Sequence, residues 1–184
     1  MFILVGYASE HGSTRGIAQR VAARLTAHGN RADVLPLDHV TDVRRYDAAV
    51  LGSAVHGQAW LPPATEFLRR NAEALAARPV WLFSVGMPAA LRGPWRLLSR
   101  REEPRIRKGF PVGVRPRDHH LFSGVFERDH VPFVGRLIFR LMGCRFGDYR
   151  DWAEIAAWAE GIASHLAGEA GDRAGPGAVT ADRP

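Results

Sequence analysis

Cysteine is almost absent from this chain of 184 residues, which contains only Cys144. A single cysteine cannot form an internal disulfide, and the eight histidines show no spacing typical of metal ligands, so we expect neither a disulfide framework nor a metal site. Long apolar runs are also missing, and the start of the chain lacks the pattern of a signal peptide. These absences predict one globular domain in the cytoplasm.

Lysine is equally scarce: Lys108 is the only one, although Lys and Arg together number 25 and the net charge is +6. Arginine binds carboxylates and phosphates through a planar fork, so its excess favours an anionic partner, whether an acidic small molecule, an anionic membrane surface or nucleic acid. A basic surface that meets only solvent is equally compatible with the charge. The cations concentrate in one region, at Arg92, Arg96, Arg100, Arg101, Arg105, Arg107, Lys108, Arg115 and Arg117.

Apolar strand patterns alternate with helical periodicity, which predicts an α/β three-layer domain with a five-stranded parallel sheet. The last helix places Trp152 on the same apolar stripe as Ile155 and Ile162. Residues 168–184 lack apolar periodicity, so we expect a domain over 1–167 followed by a disordered tail. The predicted strands cover 2–8, 32–37, 46–54, 79–85 and 120–126, and the predicted helices 14–28, 64–76 and 151–166.

The first predicted strand runs into a hydroxyl-rich turn, Ser9-Glu10-His11-Gly12-Ser13-Thr14, that opens a helix. Unpaired N–H groups and the dipole at a helix start favour an anion there. The turn lacks the lysine of a nucleotide P-loop and the Gly-x-Gly-x-x-Gly of a dinucleotide site. A monophosphate bound by neutral donors is the remaining ligand class, and the alternative is a plain strand-to-helix turn capped by Ser13 or Thr14.

Two further loops follow the third and fourth predicted strands, at the sheet edge where such domains bind ligands. The first has two glycines that admit a flat ligand, and a tryptophan that either stacks on it or packs ahead of the next helix. The third strand ends in Gly52-Ser53-Ala54 rather than an aspartate, which excludes a phospho-receiver domain. The expected ligand-lining residues are Ala54, Val55, His56, Gly57, Gln58, Trp60, Ser84, Val85, Gly86 and Met87.

The turn Ser9-x-His11-Gly12-Ser13-Thr14 resembles the Ser/Thr-x-Thr-Gly-x-Thr signature of the flavodoxin-like superfamily, with His11 where a hydroxyl residue is usual. The segment 124–152, which ends in Asp148-Tyr149-Arg150-Asp151-Trp152, resembles the menaquinone-dependent protoporphyrinogen oxidase branch. That branch has an Arg-Tyr pair where this chain has His56-Gly57. The resemblance implies a flavodoxin-like doubly wound fold with an insertion between the fifth strand and the last helix.

The same resemblance implies FMN as the cofactor. Ser9, His11, Ser13 and Thr14 would donate to its phosphate together with the backbone N–H groups from Glu10 to Ser13. The Glu10 side chain should face away from the phosphate, because two negative charges repel each other. The two later loops would hold the flavin ring, which performs the redox step without a catalytic residue from the protein.

The implied function is an FMN-dependent oxidoreductase of porphyrin and heme biosynthesis that oxidises a tetrapyrrole and passes electrons to a quinone. The alternatives are a flavodoxin-like electron carrier without its own substrate and a flavin-free relative of the fold. Short-chain carriers are acidic, and this chain is basic. The insertion contains an amphipathic segment, Val134 to Met142, which either meets an anionic membrane or packs on the protein or on a second subunit. No nucleic-acid partner is expected.

Overall fold

A computed structural model describes residues 1–86, 104–106, 108–111, 113–126 and 146–173. The strands are β1 (Phe2–Ala8), β2 (Arg31–Pro36), β3 (Ala48–His56), β4 (Ala59–Trp60), β5 (Val80–Gly86), β6 (Asp118–Ser123), β7 (Val125–Phe126) and β8 (Gly147–Asp148). The helices are α1 (Ser13–Ala27), α2 (Pro62–Arg70), α3 (Ala72–Ala76) and α4 (Trp152–Arg173), and 3-10 turns cover Leu37–His39 and Val43–Arg45.

The central sheet has the strand order β2-β1-β3-β5-β6, and every pairing along it is parallel. The predicted doubly wound, five-stranded fold is therefore confirmed. The strand order reverses direction between β1 and β3, which is the switch point where ligands bind in such sheets. Residue pairs at this point include Ala8 with Ser53, and Ala54 with Val85, so the carboxyl ends of β1, β3 and β5 meet at one edge.

Alternation of side chains along the strands divides the core between the two faces of the sheet. Ile3 and Val5 pack on the face covered by α1 and α4, whereas Leu4 packs on the face covered by α2 and α3. α1 buries the stripe that its periodicity predicts: Ile17, Ala18, Val21, Ala22 and Leu25.

The structure corrects three details of the predicted helices. The helix expected over 64–76 is broken at Asn71, where the side-chain amide and the backbone N–H both donate to the carbonyl of Phe67. α4 continues to Arg173, so the first residues of the expected tail are helical. Trp152 is 38% exposed and does not join the apolar stripe, because the Arg150 guanidinium stacks over its ring at 4.5 Å.

A short antiparallel hairpin of β7 and β8 brackets the insertion between β6 and α4. Residues 127–145 and 174–184 lie outside the described residues, and so do the predictions for the amphipathic segment Val134 to Met142, for Cys144 and for the rest of the tail. Met87, predicted to line the ligand site, and five cations of the basic region also lie outside the described residues: Arg92, Arg96, Arg100, Arg101 and Arg107. Within the described ranges, no helix combines the length and apolarity required to cross a membrane.

Candidate functional site

A cavity of about 350 Å³ opens at the sheet edge where β1, β3 and β5 end. This volume is within the range of roughly 300–1,000 Å³ that is typical of small-molecule sites. The three loops singled out from the sequence converge on it. Its lining residues are Ser9, Glu10, His11, Ser13, Thr14, Ala54, Val55, His56, Gly57, Val85, Gly86, Gly124 and Val125.

Gly12 forms the sharp turn that starts α1. Its φ of 82° is left-handed, a conformation that glycine adopts without steric cost. Its N–H donates to Ser9 Oγ at 3.0 Å, and no side chain caps the helix. The first N–H groups of α1 therefore remain for a ligand, and the helix dipole adds positive potential at the same point.

Thr14 is the most informative side chain of the cavity. It is 0% exposed, and its Oγ1 has no hydrogen-bond partner within the described part of the chain. An unpaired buried hydroxyl costs about 1–3 kcal/mol, so such groups are rare unless a ligand completes them. An anionic oxygen in the cavity would accept the missing hydrogen bond, and the site therefore fits a phosphate group.

Two serines add donors beside Thr14. Ser9 Oγ accepts from the N–H of Gly12, and Ser13 Oγ accepts from the N–H of Val125 at 3.0 Å. A hydroxyl that accepts from the backbone still has its own proton to donate. The turn therefore holds its hydroxyls in place while their protons remain usable, which suits an anion bound by neutral groups.

The Glu10 side chain is half exposed, in agreement with the expected solvent-facing carboxylate, and it also lies against two imidazoles that line the cavity. Its carboxylate lies 3.2 Å from His56 Nδ1 and 3.9 Å from His11 Nε2. All three side chains are partly exposed and line the cavity. The carboxylate turns towards these imidazoles because each can carry a proton, so it links the loop after β1 to the end of β3.

The turn between β3 and β4 is tight, since His56 pairs with Ala59 across only two residues. Gly57 and Gln58 have φ values of 58° and 68°, as a type I′ turn requires. The Gln58 side chain accepts a hydrogen bond from Arg105 Nη1 at 2.9 Å and does not line the cavity. Gln58 therefore holds an arginine at the tip of the turn, rather than facing the ligand.

Trp60 and Ser84 are the clearest corrections to the predicted site. The turn folds Trp60 back into the core, where it is 5% exposed and packs edge-on against Phe110 at 4.9 Å. Its indole N–H donates to Ser84 Oγ at 2.7 Å, and Ser84 Oγ is also hydrogen-bonded to His119 Nε2 at 2.8 Å. Both side chains are engaged inside the protein, so neither is placed to contact a ligand in the cavity.

The sequence-based prediction missed Gly124 and Val125, which close the cavity from the end of β6. The Gly124 N–H donates to the carbonyl of Gly86 at 2.9 Å. A Cβ at position 124 would lie 2.7 Å from Ser13 Oγ and 2.8 Å from a methyl group of Val85, so only glycine fits there without displacing them. The available signal was a glycine directly after a strand at the ligand-binding edge.

The Asp148-Tyr149-Arg150-Asp151-Trp152 motif lies beside the turn from Ser9 to Thr14, the phosphate-type turn. Asp148 accepts two hydrogen bonds from the Arg150 guanidinium, at 2.9 and 2.6 Å, and this pairing holds the pKa of the carboxyl below its usual range. Asp151 caps α4 by accepting from the N–H groups of Ala153 and Glu154. The motif therefore anchors the hairpin and the last helix next to α1.

Among the described residues, no cluster of three or more His, Cys, Asp or Glu side chains is suited to a metal ion. The arginine-rich region contributes Arg117, which forms an ion pair with Glu169, and Arg105 at the β3–β4 turn. The hydrogen-bond donors at the cavity are thus hydroxyls and backbone N–H groups. The Glu10 carboxylate and the imidazoles of His11 and His56 lie at its mouth.

Known proteins are similar to this chain in sequence and in fold. The chain is 25% identical over 177 residues to protoporphyrinogen IX dehydrogenase (quinone) of Escherichia coli K12, over 90% of this chain and 96% of that protein. A flavodoxin of Streptococcus pneumoniae TIGR4 superposes with a TM-score of 0.52 at 17% identity, over 92% of this chain and 99% of that one. Flavodoxin 1 of Bacillus cereus gives 0.53 at 13% identity, over 90% and 99% of the chains.

The sequence profile of the flavodoxin domain matches residues 4–149. This match contains the turn at Ser9–Thr14, the loops after β3 and β5, and the closing glycine at position 124. Because it spans well over half of the chain, the protein belongs to the flavodoxin domain family.

Proposed function

We propose that this protein binds FMN in the cavity and is an oxidoreductase of the protoporphyrinogen oxidase type, which oxidises a tetrapyrrole and passes the electrons to a quinone. The flavodoxin domain family implies a flavin cofactor. The E. coli relative, named as a quinone-linked protoporphyrinogen dehydrogenase, matches this chain over 96% of its own length. That coverage supports an enzyme of the same kind.

The observation that carries FMN binding is the buried, unpaired hydroxyl of Thr14 beside an uncapped helix start. A phosphate monoester accepts hydrogen bonds from such neutral donors and is stabilised by the helix dipole. Ser9 and Ser13 provide two further hydroxyls whose lone pairs already accept from the backbone. The flavin ring would then lie between Val55–Gly57 and Val85–Gly86, with Gly124 providing the room.

FMN supplies the redox chemistry, and the protein's contribution is binding, orientation and local charge. The apolar and glycine-rich walls of the cavity would cover one side of the ring. Arg105, held by Gln58 at the tip of the adjacent turn, has no carboxylate partner among the described residues. Its guanidinium is suited to a carboxylate on the substrate.

The experiment is anaerobic turnover of the FMN-loaded protein with protoporphyrinogen and menaquinone, followed by the fluorescence of the protoporphyrin that forms. We expect a yellow protein with flavin absorption bands, and porphyrin production that requires both FMN and the quinone. The same protein stripped of FMN is the matched control. Porphyrin formation at the same rate in the stripped protein would rule out flavin-dependent oxidation.

A second candidate is an electron carrier without its own substrate, and the likeness of the fold to flavodoxins favours it. Such a carrier would bind FMN, accept electrons from a flavodoxin reductase and show no porphyrin formation. The net charge of +6 argues against it, because carriers dock on basic reductases through acidic surfaces. A preparation that binds no flavin at all would exclude both candidates.

A further inference from the structure

A carboxylate and an imidazole are in contact at the mouth of the cavity. The Glu10 carboxylate, in the turn after β1, lies 3.2 Å from Nδ1 of His56 at the end of β3. Both line the cavity, and both are about half exposed, at 49% and 55%. Neither contributes to the core, so the fold itself does not explain why they are held together.

The position of Glu10 is costly for a phosphate site. A carboxylate within the phosphate-binding turn repels a dianion, and the turn would bind phosphate more tightly with a neutral residue there. Its negative charge does stabilise a protonated imidazole a few ångströms away. The contact with His56 therefore gives the Glu10 carboxylate a role that phosphate binding does not explain.

We propose that His56, positioned by Glu10, is the proton-exchanging residue of the flavin site: it takes up a proton when the bound flavin accepts an electron pair and releases it when the flavin is reoxidised. This inference rests on the proposed binding of FMN. With Nδ1 turned to the carboxylate, Nε2 is the ring nitrogen that exchanges the proton, and within the described ranges it makes no other hydrogen bond or ion pair.

The proton and electron balance is complete without another co-reactant. When two hydrogens leave a carbon–nitrogen or carbon–carbon pair of the substrate, bound FMN would accept a hydride, and neutral His56 would accept the remaining proton. On reoxidation the quinone would receive the hydride equivalent together with the His56 proton and would become the quinol. His56 returns to its neutral form, and both substrate hydrogens are accounted for.

The charged groups around His56 are consistent with this role. Glu10 and His11 face it from the turn after β1, where His11 Nε2 is 3.9 Å from the same carboxylate. Arg105 reaches the adjacent β3–β4 turn, where its guanidinium donates a hydrogen bond to the Gln58 side chain at 2.9 Å. The carboxylate in contact with His56 is thus that of Glu10.

The test is a redox titration of the FMN-loaded protein at several values between about pH 5 and 8, the range in which histidine titrates. We expect the midpoint potential of the wild-type protein to change with pH by one more proton per two electrons than that of His56→Gln. Glu10→Gln retains the flavin but lacks the charge that stabilises the imidazolium, so its extra proton uptake in this range should fall. The pH profile of kcat/KM should lose its acid limb in His56→Gln.

The matched control is His120→Gln, which removes an imidazole that is also paired with a glutamate, Glu154 at 3.0 Å, but that does not line the cavity. Its titration should superimpose on that of the wild type. Equal pH dependence in His56→Gln and wild type, with FMN bound to both, overturns this inference and leaves FMN binding intact. Absence of bound flavin in the wild type overturns the proposed function and this inference together.

Discussion

Thr14, in the first turn of α1, and Ser84, near the end of β5, are both fully buried hydroxyl residues, yet they differ in what their oxygens contact. Ser84 is hydrogen-bonded to Trp60 on one side and to His119 on the other. Thr14 Oγ1 has no partner among the described residues, and the residue lines the cavity. The satisfied hydroxyl stabilises the protein, whereas the unsatisfied one is available to a ligand.

The difference follows from the alternation of side chains along a strand. Ser84 precedes Val85, so the two point to opposite faces, and only Val85 lines the cavity. Thr14 lies in the first turn of α1, where the uncapped N–H groups also lack partners. Substitutions at the two positions should therefore affect different properties of the protein.

The largest expected effect is on stability, from Ser84→Ala. The substitution leaves the Trp60 indole N–H buried without its acceptor and removes the hydrogen bond between Ser84 Oγ and His119 Nε2, and we expect the free energy of unfolding to fall by about 3 kcal/mol. Urea unfolding followed by tryptophan fluorescence measures it, with the exposed Ser164→Ala as the control. FMN affinity should not change. A large loss of FMN affinity with little loss of stability would place Ser84 in the ligand site after all.

Thr14→Val should show the opposite behaviour. Loss of one hydrogen bond to a charged phosphate is expected to raise the Kd for FMN about 10- to 100-fold, measured by quenching of flavin fluorescence. The apoprotein should gain about 1 kcal/mol in unfolding free energy, because a buried unpaired hydroxyl is replaced by a methyl group of similar shape.

The control for that substitution is Thr26→Val, the same change at an exposed position near the other end of α1. It should leave the FMN affinity unaltered. If Thr14→Val bound FMN as tightly as the wild type does, the Thr14 hydroxyl would not be a ligand-binding group.

The smallest expected effect concerns a polar pair that is neither buried nor at the ligand. Asp148 is 44% exposed, and the hydrogen bonds from Arg150 hold its pKa below the ordinary value. The pair therefore stabilises the folded protein above the ordinary pKa of an aspartate, near 4, and this contribution is lost as the pH falls through the lower folded value.

Asp148→Asn should lower the free energy of unfolding by less than about 1 kcal/mol at pH 7, since water screens an exposed pair. The difference from the wild type should shrink in urea unfolding at acidic pH. Asp38→Asn, at an exposed position without an ion pair among the described residues, is the control. A loss as large as that of Ser84→Ala would mean that the motif beside the cavity is a main support of the fold.

The sequence predicted the sheet and the convergence of three loops because both follow from local patterns. Apolar strands alternating with amphipathic helices define a doubly wound order, and that order alone brings the ends of β1, β3 and β5 together. The turn from Ser9 to Thr14 was recognisable for the same reason, since its residue types act through the backbone of a single helix start.

The errors come from features that depend on the register of distant segments. A two-residue turn at Gly57-Gln58 reverses the chain and sends Trp60 into the core, so the structure favours packing over ligand stacking, the two alternatives that the sequence had left open. Ser84 was included with its neighbours because the strand predicted over 79–85 did not establish which of its last side chains face the cavity. Gly124 was missed because its role depends on Ser13, which lies far away in the sequence.

The hydrogen bond from the Val125 N–H to Ser13 Oγ fixes the first residue of β7 to the phosphate-type turn, and β8 returns the chain to the same place. The segment between these two strands therefore enters and leaves the domain at fixed points beside the cofactor cavity. A change in the length or composition of the chain between β7 and β8 would therefore leave the contact of Val125 with Ser13 in place. The two strands thus separate whatever the segment between them contacts from the geometry of the cavity.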